Sequence, residues 1–284
     1  MQEATASSVR LRHIGKTLRE LRDKAGMTLK TAERRLDRSA SSLSLIEKGQ
    51  QSIRPRDLKY ILDVYEVGPD LHRALMTLAE QERQDGWWSE FKDLLSASAL
   101  DYASLEHDAT AIDSVETQFI PGLLQTEEYA RAVIRSSLSE SLLGRTDHLL
   151  AFRIARQQTL QRADPPQFHT VIDEAALRRS RGGPEVMRAQ LHRLLDESGQ
   201  DHLTIQVLPF SCAADPGISE TFSMLTIGRS AILRVVLINT LTGRRTLDLE
   251  AELIRYQEAF DRVRAVALPK AESQIVIQRI VSEL

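Results

Sequence analysis

The stretch Thr28–Gly49, TLKTAERRLDRSASSLSLIEKG, decides how the first part of the chain folds. It reads as two short helices joined by a tight turn. Leu29, Ala32 and Leu36 give the first helix its apolar contacts at helical spacing. The second helix starts at Ser39 and turns Leu43 and Ile46 inward, three residues apart on one face. Between them, Asp37 and Arg38 are too polar to continue that face. Gly49 closes the second helix, where a left-handed residue is cheapest.

The flanks extend the same pattern. Upstream, the spacing predicts a helix over Val9–Lys24 with Ile14, Leu18, Leu21 and Ala25 inward, ended by Ala25-Gly26. Residues 1–8 are small and polar and read as a frayed arm. Thr28 is placed to cap the next helix. Downstream, Gln50–Ile53 form a loop. Arg54-Pro55-Arg56 then opens a fourth helix, with Pro near its first position and Leu58, Ile61, Leu62 and Tyr65 inward. Gly68-Pro69 ends it, and Asp70 caps a fifth helix with Leu71, Leu75 and Leu78 inward. The polar run Glu80–Gly86, EQERQDG, continues and then breaks that helix, which divides the chain into domains at 9–80 and 87–284.

Two short helices joined by three or four residues form a helix-turn-helix, whose second helix enters the DNA major groove. Charge agrees with this. Residues 9–65 carry 14 Lys/Arg and 7 Asp/Glu, net +7, whereas the rest of the chain is net -10. A basic small domain on an acidic body suits a DNA reader joined to a module with another task; the plain alternative is a solvated basic face.

The residues from Ile14 to Val67 resemble the helix-turn-helix of the lambda-repressor and Cro superfamily, the Xre family. The resemblance rests on Leu18, Arg19 and Leu21; on Gly26, Met27 and Thr28; on Ser39, Ser42, Leu43, Ser44, Ile46, Glu47, Lys48 and Gly49; and on Arg54-Pro55-Arg56, Leu58, Leu62, Tyr65 and Val67. In one departure, Glu33 stands where the family usually has Ala at the crossing of helices two and three, with Ala32 just before it. Glu33 there either widens the crossing or reaches out to solvent. The resemblance implies that Thr28 and Lys30 abut a phosphate and that Ala40, Ser41 and Ser44, with Ser39 at the helix start, face base edges. It also implies that Arg54 and Arg56 touch phosphates or the minor groove. The reading helix is short of bidentate donors: Ser selects weakly, and Ala40 offers only a methyl contact to thymine. Specificity is therefore expected from dimer spacing, DNA shape or the neighbouring Arg38 and Lys48.

From Trp87 the character changes. Trp87 and Trp88, the only tryptophans, are expected to seal the interface between the domains, or else to bind a ligand. The remainder reads as α+β. Helices are predicted over about 98–112, 127–138 (capped by Thr126 after a Pro121-Gly122 turn), 147–162, 185–197 and 250–267. The last of these buries Leu253, Tyr256, Phe260 and Val263. A final helix, 273–284, would be capped by Ser273. Strands fit 168–172, 203–208, 221–227, 232–238 and, after a Thr242-Gly243 turn, 245–249. The expected architecture is a mainly α five-helix helix-turn-helix domain plus a larger α+β C-terminal domain.

The segment PGLLQTEEYAR, Pro121–Arg131, carries a second resemblance, supported by Arg153, Arg156-Gln157, Val171–Leu177, Gly182-Gly183, Met187, Gln190-Leu191, Val207–Phe210 and Phe222. It is similar to a large C-terminal domain of unknown function found behind Xre-type domains in actinobacterial, antitoxin-like transcriptional regulators. That resemblance implies a small partner protein encoded nearby, without identifying a ligand.

Little in the sequence speaks for catalysis. The seven histidines are scattered, with no HExxH or metal-ligand spacing. There is no phosphate loop, GxGxxG or G-x-S-x-G elbow. Cys212, the single cysteine, sits in PFSCAADPG without an evident activating partner and allows no internal disulfide. Arg153 and Arg156, three apart on one helix face, would pair an anionic ligand, or Glu106 or Glu174; internal salt bridging is the plainer reading. Asp173-Glu174 after a strand is the best carboxylate site. No run approaches 18 apolar residues, and MQEATASSVR lacks the apolar core of a signal peptide, so a cytoplasmic location is expected. The reading is a non-enzymatic, dimeric, DNA-binding transcription regulator without cofactor or metal. Its C-terminal domain would dimerise and hold a small partner protein or ligand. The alternatives are an antitoxin that sequesters a small toxin and represses its own operon, and an enzyme domain fused to a DNA-binding one.

Overall fold

A computed structural model of the chain describes residues 7–138, 140–212, 217, 220–228, 231–240 and 243–284. Two compact units emerge. One comprises the residues up to Ser104 together with Ile227–Leu233; the other comprises Leu105–Thr226 and Arg234–Leu284. The first unit therefore runs past the 80–86 boundary that the polar run suggests.

In the first unit, α1 (Val9–Lys24), α2 (Leu29–Leu36), α3 (Ala40–Glu47), α4 (Pro55–Val64) and α5 (Pro69–Gln81) pack around Ile14, Leu18, Ala32, Leu36, Leu43, Ile46, Leu58, Leu62, Leu75 and Leu78, all buried. The helix starts follow the capping rules. Ser8, Thr28 and Ser39 each accept a hydrogen bond from a backbone N–H in the first turn, and Pro55 and Pro69 sit where a missing N–H costs nothing. Two expectations fail here. Ala25 is exposed, because α1 ends at Lys24. Asp70 is not the cap of α5: Gly68 holds that position, and Asp70 pairs with Arg73 at 3.4 Å. After a short 3-10 turn at Trp87–Phe91 comes α6 (Ala97–Asp108).

The second unit is built on β1 (Ala109–Glu116), β2 (Gln167–Asp173), β3 (Leu203–Leu208), β4 (Phe222–Ile227), β5 (Leu233–Thr240) and β6 (Gly243–Leu247), in the sheet order β3-β2-β1-β4-β5-β6. Strands β1, β2 and β3 are parallel; β5 and β6 are antiparallel. The helices are α7 (Glu127–Ser137), α8 (Thr146–Arg156), α9 (Gln158–Gln161), α10 (Glu174–Arg178), α11 (Pro184–Glu197), α12 (Glu250–Val266) and α13 (Lys270–Glu283). Long α12 lays Leu253, Phe260 and Val263 on the sheet face formed by Val115, Val171, Phe222, Met224, Val236 and Ile238. Along β1 the preceding residue, Ser114, points the other way and donates to Thr170 at 2.8 Å.

Three segments depart from the sequence reading. Residues 109–112 are not the end of a helix but the start of β1, registered on β2 from Ala111↔Gln167. The 147–162 helix is divided at Gln157. The last helix begins at Lys270, with Ser273 fully buried inside it rather than capping it. The Ser273 hydroxyl donates to the Leu268 carbonyl and accepts the Val207 N–H at 2.9 Å. The predicted Thr242-Gly243 turn falls partly outside the described residues, as does most of the loop after Cys212.

Ser273 thus ties the C-terminal helix to β3. Ser273→Ala leaves a buried N–H without its acceptor, and we expect a loss of about 1–3 kcal/mol in urea unfolding, with an unchanged sheet signature in circular dichroism.

Candidate nucleic-acid interface

The turn between α2 and α3 spans three residues. Asp37 caps α2 in the left-handed conformation, φ 49°, and its N–H returns to the Glu33 carbonyl. Arg38 follows, and Ser39 caps α3, its hydroxyl accepting the Ser42 N–H at 3.3 Å. Ala32 is completely buried at the position before Glu33, while Glu33 is only half-buried.

The placement of α3 depends on its contact with α1. A Cβ added to Gly15 would meet the Ile46 carbonyl oxygen at 2.3 Å, and one on Gly49 would meet the Arg12 backbone at 2.8 Å. Gly49 is also left-handed, φ 67°. The two backbones touch where no side chain fits. Beside this contact Arg22 reaches from α1 to the last residue of α3. Its Nε donates to Glu47 Oε1 at 2.6 Å and its Nη2 to Oε2 at 2.9 Å, a bidentate pair with both side chains under a tenth exposed. Its Nη1 donates to the Met27 carbonyl and to Asp23. The hydrogen bonds to Glu47 push the Arg22 guanidinium above its ordinary range and keep it charged.

With Leu43 and Ile46 inward, the opposite face of α3 carries Ser41, Ser44, Leu45 and, at its C-terminal cap, Lys48. Leu45 is 42% exposed. The sequence reading passed over it because it is apolar. Its position gives it away: two residues past Leu43, it sits about 200° around the helix from that residue and outside the buried stripe. Ala40 is half-buried at the first turn. Thr28 is exposed, and its hydroxyl caps α2 by accepting the Thr31 N–H at 3.1 Å; Lys30 is exposed in the same first turn. Arg54 and Arg56 are exposed at the start of α4, Arg56 by 86% of its side chain.

Arg38, expected beside the bases, is held instead by Asp57 of α4 at 2.7 Å. Together with Asp37, Arg56 and Tyr60 it lines one shallow groove. Tyr60, 50% exposed with its hydroxyl donating to the Arg35 carbonyl at 3.3 Å, is a second residue the sequence reading missed, since Tyr at a helix surface gives no periodic signal. Exposed Arg34 and Arg35 on α2 add to the basic surface.

The candidates in the rest of the chain make the following internal contacts. Trp87 and Trp88 meet edge to face at 5.8 Å, and the Trp88 ring lies over Gly86, all inside the first unit. Arg156 makes a buried bidentate pair with Glu106, both bonds at 2.8 Å. Arg153 donates to Gln125 at 2.9 Å. Glu174 does not join them; it accepts from Arg178 at 2.6 Å and from the Phe210 N–H at 2.9 Å. Asp173 caps α10. The loop at 121–126 is stapled by the same chemistry. Gln157 and Arg193 donate to the Gln125 carbonyl, Gln190 bonds Leu124 and Thr126, and Gln125 bonds Ile120. Glu116, at the end of β1, is buried beside this network. Burial pushes its carboxyl up to about 8, against the pull of Arg153 and Arg156. Among the described residues no group of His, Cys, Asp and Glu is arranged to hold a metal ion, and no helix is long and apolar enough to cross a membrane.

Two outcomes are expected. Glu47→Ala strands the buried Arg22 charge and should cost about 3–5 kcal/mol, read by thermal or urea unfolding of the full chain. For Glu116, the folded chain holds a proton that the unfolded chain releases, so stability falls as pH rises from about 4.5 to about 8 and then levels. Glu116→Gln should remove that slope, its advantage over the natural chain growing through this window in urea titrations.

The comparisons follow the same division. A family described as a helix-turn-helix domain matches residues 13–75. No curated protein and no solved structure matches the chain. A family described as a domain of unknown function (DUF5753) matches residues 99–279, well over half the chain. The protein therefore belongs to the DUF5753 family, and it carries a helix-turn-helix domain ahead of that shared domain.

Proposed function

We propose that this protein is an Xre-type transcription regulator that binds double-stranded DNA as a homodimer. Its C-terminal domain would dimerise and hold a small partner protein or ligand rather than catalyse a reaction. The observation that carries this reading is the capped α3, clamped at its far end by the Arg22–Glu47 pair, with an outward face of Ser41, Ser44, Leu45 and Lys48. A helix held this rigidly presents one fixed face to a groove. The exposed Lys30, Arg34, Arg35, Arg54 and Arg56 supply phosphate contacts around it.

Dimerisation is supported by reach. Eight residues of helix span about 12 Å, the length of roughly three or four base pairs. So short a reader needs a second half-site to define an address. The acidic charge of the remaining chain keeps that part away from DNA and leaves it for other partners. The actinobacterial origin, the cytoplasmic location and the neighbouring partner gene belong to the same proposal.

The test is capture of fragmented host DNA by the full-length protein at two salt concentrations, with the bound fragments sequenced. A few upstream regions should be enriched. Raising salt from about 50 to 200 mM should lower affinity by about a thousandfold if some six phosphates are contacted. The double variant Arg54→Ala/Arg56→Ala should abolish enrichment. Uniform recovery of all fragments at both salts would contradict site-specific regulation, and a small protein co-purifying in equal amount would point to the antitoxin role.

A further inference from the structure

Leu45 is the unusual feature of the outward face of α3. A large aliphatic side chain, 42% exposed, projects from a helix whose neighbouring outward residues are Ser41, Ser44 and Lys48. Ser41 is one turn before it and Lys48 nearly one turn after, so all four share one side of the helix. Leu45 has no structural duty to explain its exposure, because Leu43 and Ile46 already fill the inward stripe. Its carbonyl accepts the Gln50 N–H, a backbone bond that its side chain does not influence.

The chemistry of the major groove says what such a side chain recognises. Among base edges, the C5-methyl of thymine is the largest apolar group; most of the others are hydrogen-bond donors and acceptors. A leucine facing adenine N7 or guanine O6 would desolvate an acceptor and return nothing. The serines satisfy polar edges but discriminate weakly among them. We propose that Leu45 is the residue that sets base preference in this protein, and that it does so by packing on thymine methyl groups, so that the half-site is read by methyl placement more than by hydrogen bonds. The α1–α3 contact through Gly15 and Gly49 and the Arg22–Glu47 pair fix the height and rotation at which Leu45 is presented, as a methyl contact of ordinary van der Waals range requires.

This inference rests on the DNA-reading proposal, and its test separates the two. The most enriched genomic fragment would be resynthesised as a short duplex in two forms, one with thymine and one with deoxyuridine in its place, which differs only by the missing methyl. Affinities of the full-length natural protein and of Leu45→Ala would be measured for both at one salt concentration. The natural protein should bind the uridine duplex about fourfold more weakly for each methyl it contacts, the equivalent of about one buried methylene. Leu45→Ala should bind the two duplexes alike and should keep the salt dependence of the parent, since no phosphate contact is lost. Because Leu45 is exposed and Ala favours helix, the variant should unfold at the temperature of the natural protein. Equal binding of both duplexes by the natural protein would overturn the inference while DNA reading stood. A Leu45→Ala variant that stayed sensitive to the missing methyls would overturn it too. Failure to enrich any fragment would overturn both proposals together.

Discussion

The close approach of α1 and the end of α3 is the constraint on which the first unit depends. Gly15 lets one backbone lie on the Ile46 carbonyl, and Gly49 lets the chain leave α3 beside Arg12. Two helices brought this near bury few side chains at the crossing, so the pair needs another source of strength. Arg22 supplies it: one guanidinium satisfies both carboxylate oxygens of Glu47 and the carbonyl that ends the α1–α2 connection. A charged pair held under the surface is costly to break and poor at tolerating a shifted geometry. It therefore specifies where α3 stands as well as whether it stays.

Much of the first unit was legible because its information is local. Caps at Thr28 and Ser39, the proline at the start of α4, the glycine after α3 and the 3.6-residue stripes are all written within a few residues of where they act. The α1 span is visible from Val9 to Lys24 for that reason. What escaped is what depends on distant partners. Ala109–Ile112 follow a helix without a glycine or proline, and only pairing with β2, more than fifty residues on, makes them a strand. Ser273 looks like a helix cap until Val207 claims its hydroxyl. The Arg38 pairing with Asp57 of α4, nineteen residues on, is likewise not written locally. Leu45 was hidden by a different bias: apolar residues are read as core, although its angle around α3 places it outside.

The second unit shows the complementary pattern. Its strands and helices were mostly visible as apolar runs, yet their order in the sheet was not, since nothing local dictates that β1 lies between β2 and β4. Several residues that looked chemical in sequence make internal bonds. Arg156 and Glu106 neutralise each other out of water, and Glu174 joins α10 to the Phe210 backbone. Arginine clusters on a helix face suggest an anionic ligand in sequence, but a protein interior also uses the guanidinium as its most versatile internal fastener.

The stapled loop at 121–126 carries one further consequence. Its glutamines and arginines answer backbone carbonyls and each other. Side chains committed to holding a loop in this way are not available to meet a ligand through the same atoms, so the surface beyond them is where this domain is open to other molecules.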